Sequence, residues 1–350
     1  MTNRLLEALS ISHPIIQAPM AGGITTAELV SAVSEAGGLG MIGAGYLDAK
    51  STRHQIQEVK ARTDKSYGIN LFVPSPYTEE KDVIQRAQLS LQLYLEKVSS
   101  DVESAFSSYE QTLEIYHKQV NVIIEEQVPV CSFTFGMPSS DVIHSLKQAG
   151  IYTIGTATTL SEALAIEAAG MDAVVLQGSE AGGHRGNFLA GVEQSMIGLM
   201  ALIPQTVDQV NIPVIAAGGI MDQRGVQAAQ CLGAQAAQLG TAFLTCKESG
   251  ANPLHKQAIL EGQQEDKTTI TRAFSGKAAR GIENDFIRNM RKVECELPDF
   301  PIQNTLTKPI RSQAAQNNDR DTMSLWCGQN PNLAEPITAK ELVHKLVDEE

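Results

Sequence analysis

The stretch QGSEAGGHRG, residues 177–186, follows the apolar run MDAVVL and carries more chemistry than a connector needs. Gly182 and Gly183 let the backbone come close to a ligand. His184 behind them has an ordinary pKa of about 6.5, so it can act as a base or as a cation near neutral pH. Glu180 is placed to orient the loop. Two other stretches, AAGGI (216–220) and QLGTAF (238–243), set Gly219 and Gly240 one strand–helix unit apart. Glycine N–H groups where a strand gives way to a helix suit a phosphate, and the Thr241 hydroxyl adds a donor. Asn70 in YGINLFV and Gln177 are amides at strand ends, able to donate and accept along the edge of a flat heterocycle. Asn70 alone also suits a turn. A phosphate at one end and amides in the middle point to a phosphorylated planar cofactor.

These residues are only useful if the elements before them are strands of one sheet. Apolar runs begin near residues 15, 40, 68, 130, 152, 172, 213 and 235, and amphipathic helical stretches separate them. TTAELVSAVSEAG (25–37) shows the pattern: a threonine cap, then Leu29, Val30 and Val33 on one face, then a glycine stop. Eight such units predict an α/β fold, a (β/α)8 TIM barrel, with an open doubly wound sheet as the weaker competitor. In such a barrel the site lies at the C-terminal strand ends. Residues 75–126 are polar and helical and interrupt the rhythm after strand 3, which suggests a helical insertion. We therefore expect the barrel over 1–245 and a C-terminal extension packed on it over 246–350. A helix near 192–202 and a Pro-broken segment at 297–310 are expected as well.

Several chemistries are disfavoured. GLGMIG (38–43) has G-x-G-x-x-G spacing but follows a helix and lies in a strand, so it is not a dinucleotide fingerprint. No HExxH, Cys/His pair or CxxC occurs, so no metal is expected. No GxSxG elbow is present, and Cys131 inside an apolar strand reads as core. The other six histidines read as unremarkable. With 27 Lys+Arg against 40 Asp+Glu, the net charge of −13 argues against nucleic acid, and an anionic ligand then needs a local positive site. No run is long enough for a membrane helix and the first residues lack a signal core, so a soluble cytoplasmic protein is expected.

Together PIIQAPMAGG, GINLFVP, SFTFGMP, QGSEAGGHRG, IPVIAAGGI, QLGTAFL and SLWCGQ resemble the nitronate monooxygenase family, class I. The resemblance implies noncovalent FMN contacted by Asn70, Gln177, Gly182, Gly219, Gln238, Leu239, Gly240 and Thr241, with Met20 beside the flavin. It implies His184 as the catalytic residue. It also implies oxidation of alkyl nitronates such as propionate 3-nitronate by dioxygen to a carbonyl compound and nitrite, through an anionic flavin semiquinone. His184 with nearby N–H groups would then supply the positive site. Lys308 and Arg311 in LTKPIR are candidates for the substrate carboxylate, with plain surface charge as the other reading. Two competitors remain: an NAD(P)H-dependent reductase of enoyl-thioesters or quinones on the same barrel, and a flavin-binding barrel without turnover.

Overall fold

In a computed structural model the chain is described over residues 3–98, 106–261 and 268–347. Its strands are β1 Ile15–Gln17, β2 Gly40–Gly43, β3 Tyr67–Phe72, β4 Val130–Thr134, β5 Tyr152–Ala157, β6 Ala173–Gln177, β7 Gly183–His184, β8 Val214–Ala217, β9 Ala236–Leu239, β10 Thr268–Thr271 and β11 Ala279–Ile282. Eight of them form one parallel sheet in the order β1-β9-β8-β6-β5-β4-β3-β2. Its two ends meet. Ile16 pairs with Leu39, just before β2, and the Gln17 N–H donates to the Leu39 carbonyl at 2.9 Å. The result is the expected (β/α)8 barrel.

The strands are apolar nearly throughout because both faces are covered. Between strands and helices lie residues such as Leu29, Val33, Ile42, Ile69, Ile143 and Ile166, all buried. The expected threonine cap is Thr26, and Asp48, Ser139, Thr159 and Asp222 cap their helices likewise, each accepting a backbone N–H with the side chain. Inside the barrel, Ile16, Met41, Val130, Ile154, Val175 and Ile215 pack with Leu5 and Leu9 of the helix Arg4–Leu9. That helix closes the N-terminal end and leaves the C-terminal mouth as the open one.

Several boundaries differ from the sequence reading. Among the described residues of the segment 75–126, the first helix departs from the barrel pattern and the second does not. Tyr109–Glu125 packs beside the helices Ala49–Lys60 and Ser140–Gln148, the place of the ordinary crossover between β3 and β4. Lys81–Leu95 instead lies on the helix Ile302–Gln316. At the other end, Ala339–Val347 packs between Ala27–Glu35 and Gln223–Cys231, where the eighth barrel helix belongs. The described residues between β9 and that helix, with their own helices and the strands β10 and β11, thus form a long excursion at the barrel mouth. The helix expected near 192–202 is Leu199–Val207, started when Glu180 Oε1 accepts the Leu199 N–H at 2.9 Å. The last barrel strand stops at Leu239, and Thr241–Leu244 is already helical. Pro309 does not break 297–310, because Ile302–Gln316 runs through it as one helix. A proline there forfeits one backbone hydrogen bond, and the buried face of Ile302, Leu306 and Ile310 holds the helix together.

Candidate functional site

A cavity of about 840 Å³ occupies the C-terminal mouth of the barrel. The first wall comes from the loop after β6. Its strand β7 pairs with β11, His184 facing Ala279 and Gly183 facing Arg280, and β11 pairs in turn with β10. The Gly-Gly-His loop is therefore the edge of a small antiparallel sheet whose other strands come from the long C-terminal excursion. Gly182 is needed there because a Cβ would lie 2.5 Å from the Cys327 carbonyl carbon and the Gly328 nitrogen.

Two buried charges fix this loop from behind. Arg185 is fully buried and donates to the carbonyls of Gly178 at 2.6 Å, Gln177 at 3.1 Å and Ser195 at 2.7 Å. It is a structural pin, not a ligand group. Glu162, also fully buried, accepts from the backbone of Phe188 at 2.6 Å and Leu189 at 2.9 Å, and from Thr158 N and Oγ1 at 2.7 Å. Burial alone would raise its pKa, but these bonds outweigh it and hold the carboxyl below its usual range.

The residues singled out from sequence converge on the cavity, with one exception. Met20, Asn70, Gln177, Gly182, His184, Gly219, Gln238, Gly240, Thr241, Lys308 and Arg311 all line it. Leu239 does not: its side chain is 1% exposed and sits in the core around the barrel. The amides are unequal. Gln177 braces the loop, donating to the His184 carbonyl at 3.0 Å and accepting from the Gly186 N–H at 2.8 Å. Asn70 donates to Ser132 Oγ at 2.9 Å and Thr134 Oγ1 at 3.1 Å. Thr241 Oγ1 accepts the Gly328 N–H at 3.0 Å, tying the end of β9 to the SLWCGQ segment. Lys308 and Arg311 reach the cavity because Asn304, Lys308, Arg311, Ser312 and Ala315 recur at helical spacing on one face of Ile302–Gln316. Arg311 is steadied by Asn304 Oδ1 at 2.8 Å and Thr307 Oγ1 at 3.2 Å.

His184 lies deep in the mouth, with Trp326 at 5.3 Å, Phe135 at 5.9 Å and Phe300 at 6.3 Å between ring centroids. Burial pulls its pKa down to about 3, and the positive charges of Lys277 and Arg311 add to the effect. The imidazole is therefore neutral near pH 7. This weighs against His184 as the positive site and favours its other reading, as a base. Lys308 and Arg311 stand in the same cavity wall, and the Lys277 ammonium lies 4.9 Å over the Phe135 ring.

Sequence reasoning passed over four contributors. His255, one of the six histidines that read as unremarkable, lines the cavity and shares its Nε2 with the Trp326 carbonyl at 2.9 Å. Trp326 and Phe135 form the aromatic wall, Phe135 with a left-handed φ of 74° that no local pattern foretells. Ser275 meets His184 from 91 residues away. The one available signal was Trp326, the only tryptophan of the chain.

The buried His255 and the half-buried His184 set an acid response. Burial also lowers His255, to about 4, despite its bond to Trp326. Below about pH 6.5 the unfolded chain gains protons that the folded one does not, so stability is full above that pH and is lost as pH falls toward 3–4. Each histidine contributes up to ~1.4 kcal/mol per pH unit. Urea unfolding of the ligand-free protein at pH 7.0 and near 5.5 should show a falling midpoint, with a shallower fall in His255→Asn. Equal slopes in the two proteins would contradict the buried neutral state of His255.

Among the described residues no cluster of ligating side chains could hold a metal ion, and no helix is long and apolar enough to cross a membrane. A family model described as nitronate monooxygenase matches residues 3–349. A probable nitronate monooxygenase of Staphylococcus haemolyticus is 49% identical, the match covering 99% of this chain and 96% of the relative. Another, from Staphylococcus aureus strain MSSA476, is 48% identical over 99% and 97%. Among solved structures, nitroalkane oxidase from Streptomyces ansochromogenes superposes with a TM-score of 0.90 at 39% identity, covering 98% and 96%. FabK from Thermotoga maritima superposes at 0.77 with 32% identity, covering 99% and 95%.

Proposed function

The chain belongs to the nitronate monooxygenase family, and from that premise we propose that it oxidises alkyl nitronates with dioxygen on FMN held in the barrel mouth, giving a carbonyl compound and nitrite. One observation carries the reading: a neutral histidine faces an aromatic-walled cavity that has a glycine-lined end and a separate cationic wall.

FMN fits what is present. A Cβ on Gly240 would stand 3.7 Å from Ala18 Cβ and 4.0 Å from Met20 Sδ, so the glycine leaves room beside Met20 for a bulky group. Gly219, Gly240 and Thr241 would take the phosphate, and Asn70 with Gln238 the ring edge. Bound FMN would supply the electron-accepting centre. The rest of the chemistry belongs to the chain. Lys308 and Arg311 attract an anionic substrate toward His184. Phe135, Phe300 and Trp326 exclude water from the imidazole, which strengthens every charge interaction nearby. Given a neutral nitroalkane, the unprotonated imidazole takes the α-proton; given a nitronate, that proton is already gone.

The cations suggest a substrate with a second negative group. Arg311→Ala should raise KM for propionate 3-nitronate by roughly 10-fold or more, the size of a lost hydrogen bond to a charged group. Ethyl nitronate, which lacks the carboxylate, should be affected less. Equal changes for both substrates would count against a carboxylate contact.

The deciding assay mixes the FMN-loaded protein with propionate 3-nitronate under air, without nicotinamide, and follows dioxygen and nitrite. Oxygen uptake with nitrite release supports the proposal. The likeness to FabK gives a reductase second place: no reaction, with NAD(P)H bleaching the flavin, would move the protein there. Silence with both donors would favour a barrel that binds flavin without turnover.

A further inference from the structure

We propose that Ser275 positions His184 by fixing its tautomer, so that Nε2 carries the proton and the cavity is offered the bare Nδ1. The role in turnover rests on the proposed nitronate or nitroalkane oxidation. The tautomer itself rests on hydrogen bonding alone.

Ser275 Oγ lies 2.8 Å from His184 Nε2. The hydroxyl has one proton to give and two lone pairs. The Lys277 carbonyl, 3.0 Å away, is placed to accept that proton, and the Lys277 N–H donates to Ser275 Oγ at 3.3 Å. With the hydroxyl proton placed on Lys277, an acceptor position is what remains for His184, and Nε2 is the donor. Nδ1 has no hydrogen-bond partner among the described residues, yet it is not sealed in as an unpaired buried atom. It is the nitrogen left for a ligand.

The support is stiff. Ser275 is 1% exposed, and its own N–H is bound to the Arg272 carbonyl at 3.2 Å. Gly276 follows at φ +78°, a left-handed position that lets the turn close against Pro298 and Asp299. On the other side the His184 backbone is held by the pairing with Ala279 and by Gln177. Phe135, Phe300 and Trp326 pack around the ring. The charged groups acting on it are Lys277 from the Ser275 turn and Arg311 from the helix Ile302–Gln316, both cations. A second proton is therefore disfavoured until substrate delivers one. The outcome is a ring offering a lone pair, suited to receive a proton. The opposite tautomer would present an N–H and could only donate.

The test reads the tautomer directly. In protein labelled with 15N-histidine, the His184 signals, identified by their loss in His184→Asn, should show a protonated Nε2 and an unprotonated Nδ1 at pH 7. Ser275→Ala should lose that preference, and Ser275→Thr, which keeps the hydroxyl, should retain it. On a neutral nitroalkane, Ser275→Ala should lower kcat by roughly 10- to 100-fold with KM little changed, as for a partly disordered base, and Ser275→Thr should restore most of it. Wild-type His184 found protonated on Nδ1, or Ser275→Ala keeping both the tautomer and the turnover, would overturn the proposal. If the wild type oxidised no nitronate or nitroalkane yet showed the Nε2–H form, the function would fall and the tautomer assignment would stand.

Discussion

His184→Asn should cost about 10²–10⁴-fold in turnover of a neutral nitroalkane, the usual worth of a placed general base, while the matching nitronate loses much less. The two substrates differ by the one proton that an unprotonated imidazole exists to remove. The pKa of about 3 makes the ring a base at every pH from about 5 upward. The wild-type rate should therefore show no histidine titration between pH 6 and 9. Steady-state dioxygen uptake with both forms of one carbon skeleton makes the comparison. A loss of equal size on both would mean that His184 binds the nitro group and does not move its proton. Cofactor retention should be unchanged, since Gly219, Gly240 and Thr241 come from β8 and β9 and not from the β6–β7 loop.

Which parts of this site were legible in the sequence follows from how local their causes are. Barrel strands are short apolar runs with capped amphipathic helices between them, and each signal sits within a dozen residues. His184, Gly219 and Gly240 could be found because a glycine-rich run after a buried strand marks the mouth of such a barrel. What failed was everything that depends on distant pairing. Nothing near Ser275 tells that it meets His184, because β10 and β11 first have to pair with β7. The helix Ala339–Val347 reads as an appended tail since 99 residues separate it from β9, yet its place between the first and seventh barrel helices completes the ring. Pro309 was read as a breaker by its local rule, and the buried face of its helix overrode that rule. The sequence leaves His184 open as base or cation because an isolated imidazole titrates near neutrality. Only the cavity, with Lys277 and Arg311 nearby, shows that protonation is opposed there. Burial is a property of the assembled mouth, and no stretch of ten residues contains it.

Gly240→Asp should release FMN while leaving the fold intact, and it is the cleaner of two charge tests. Gly219 is confounded: its φ of +65° strains any side chain, and a Cβ would come 3.0 Å from Glu180 Cβ. Gly240 has φ −105°, open to every residue, and its Cβ would make only ordinary contacts, at 3.7 Å or beyond. A carboxylate there would stand where the proposed phosphate sits. At ~4 Å and an effective dielectric of about 20, two unit charges repel by ~4 kcal/mol, or roughly 10³-fold in Kd. Gly240→Asn has nearly the same shape without the charge, so it isolates the electrostatic part. Fluorescence titration of FMN into the three ligand-free proteins measures all the affinities, and thermal melting of the same samples checks the fold. Tight binding by Asn with weak binding by Asp puts the phosphate between β8 and β9. Equal weakening in both would mean that space, not charge, was lost. Unchanged affinity in both would move the phosphate to another part of the mouth, and the glycine pair would then serve only to turn the chain.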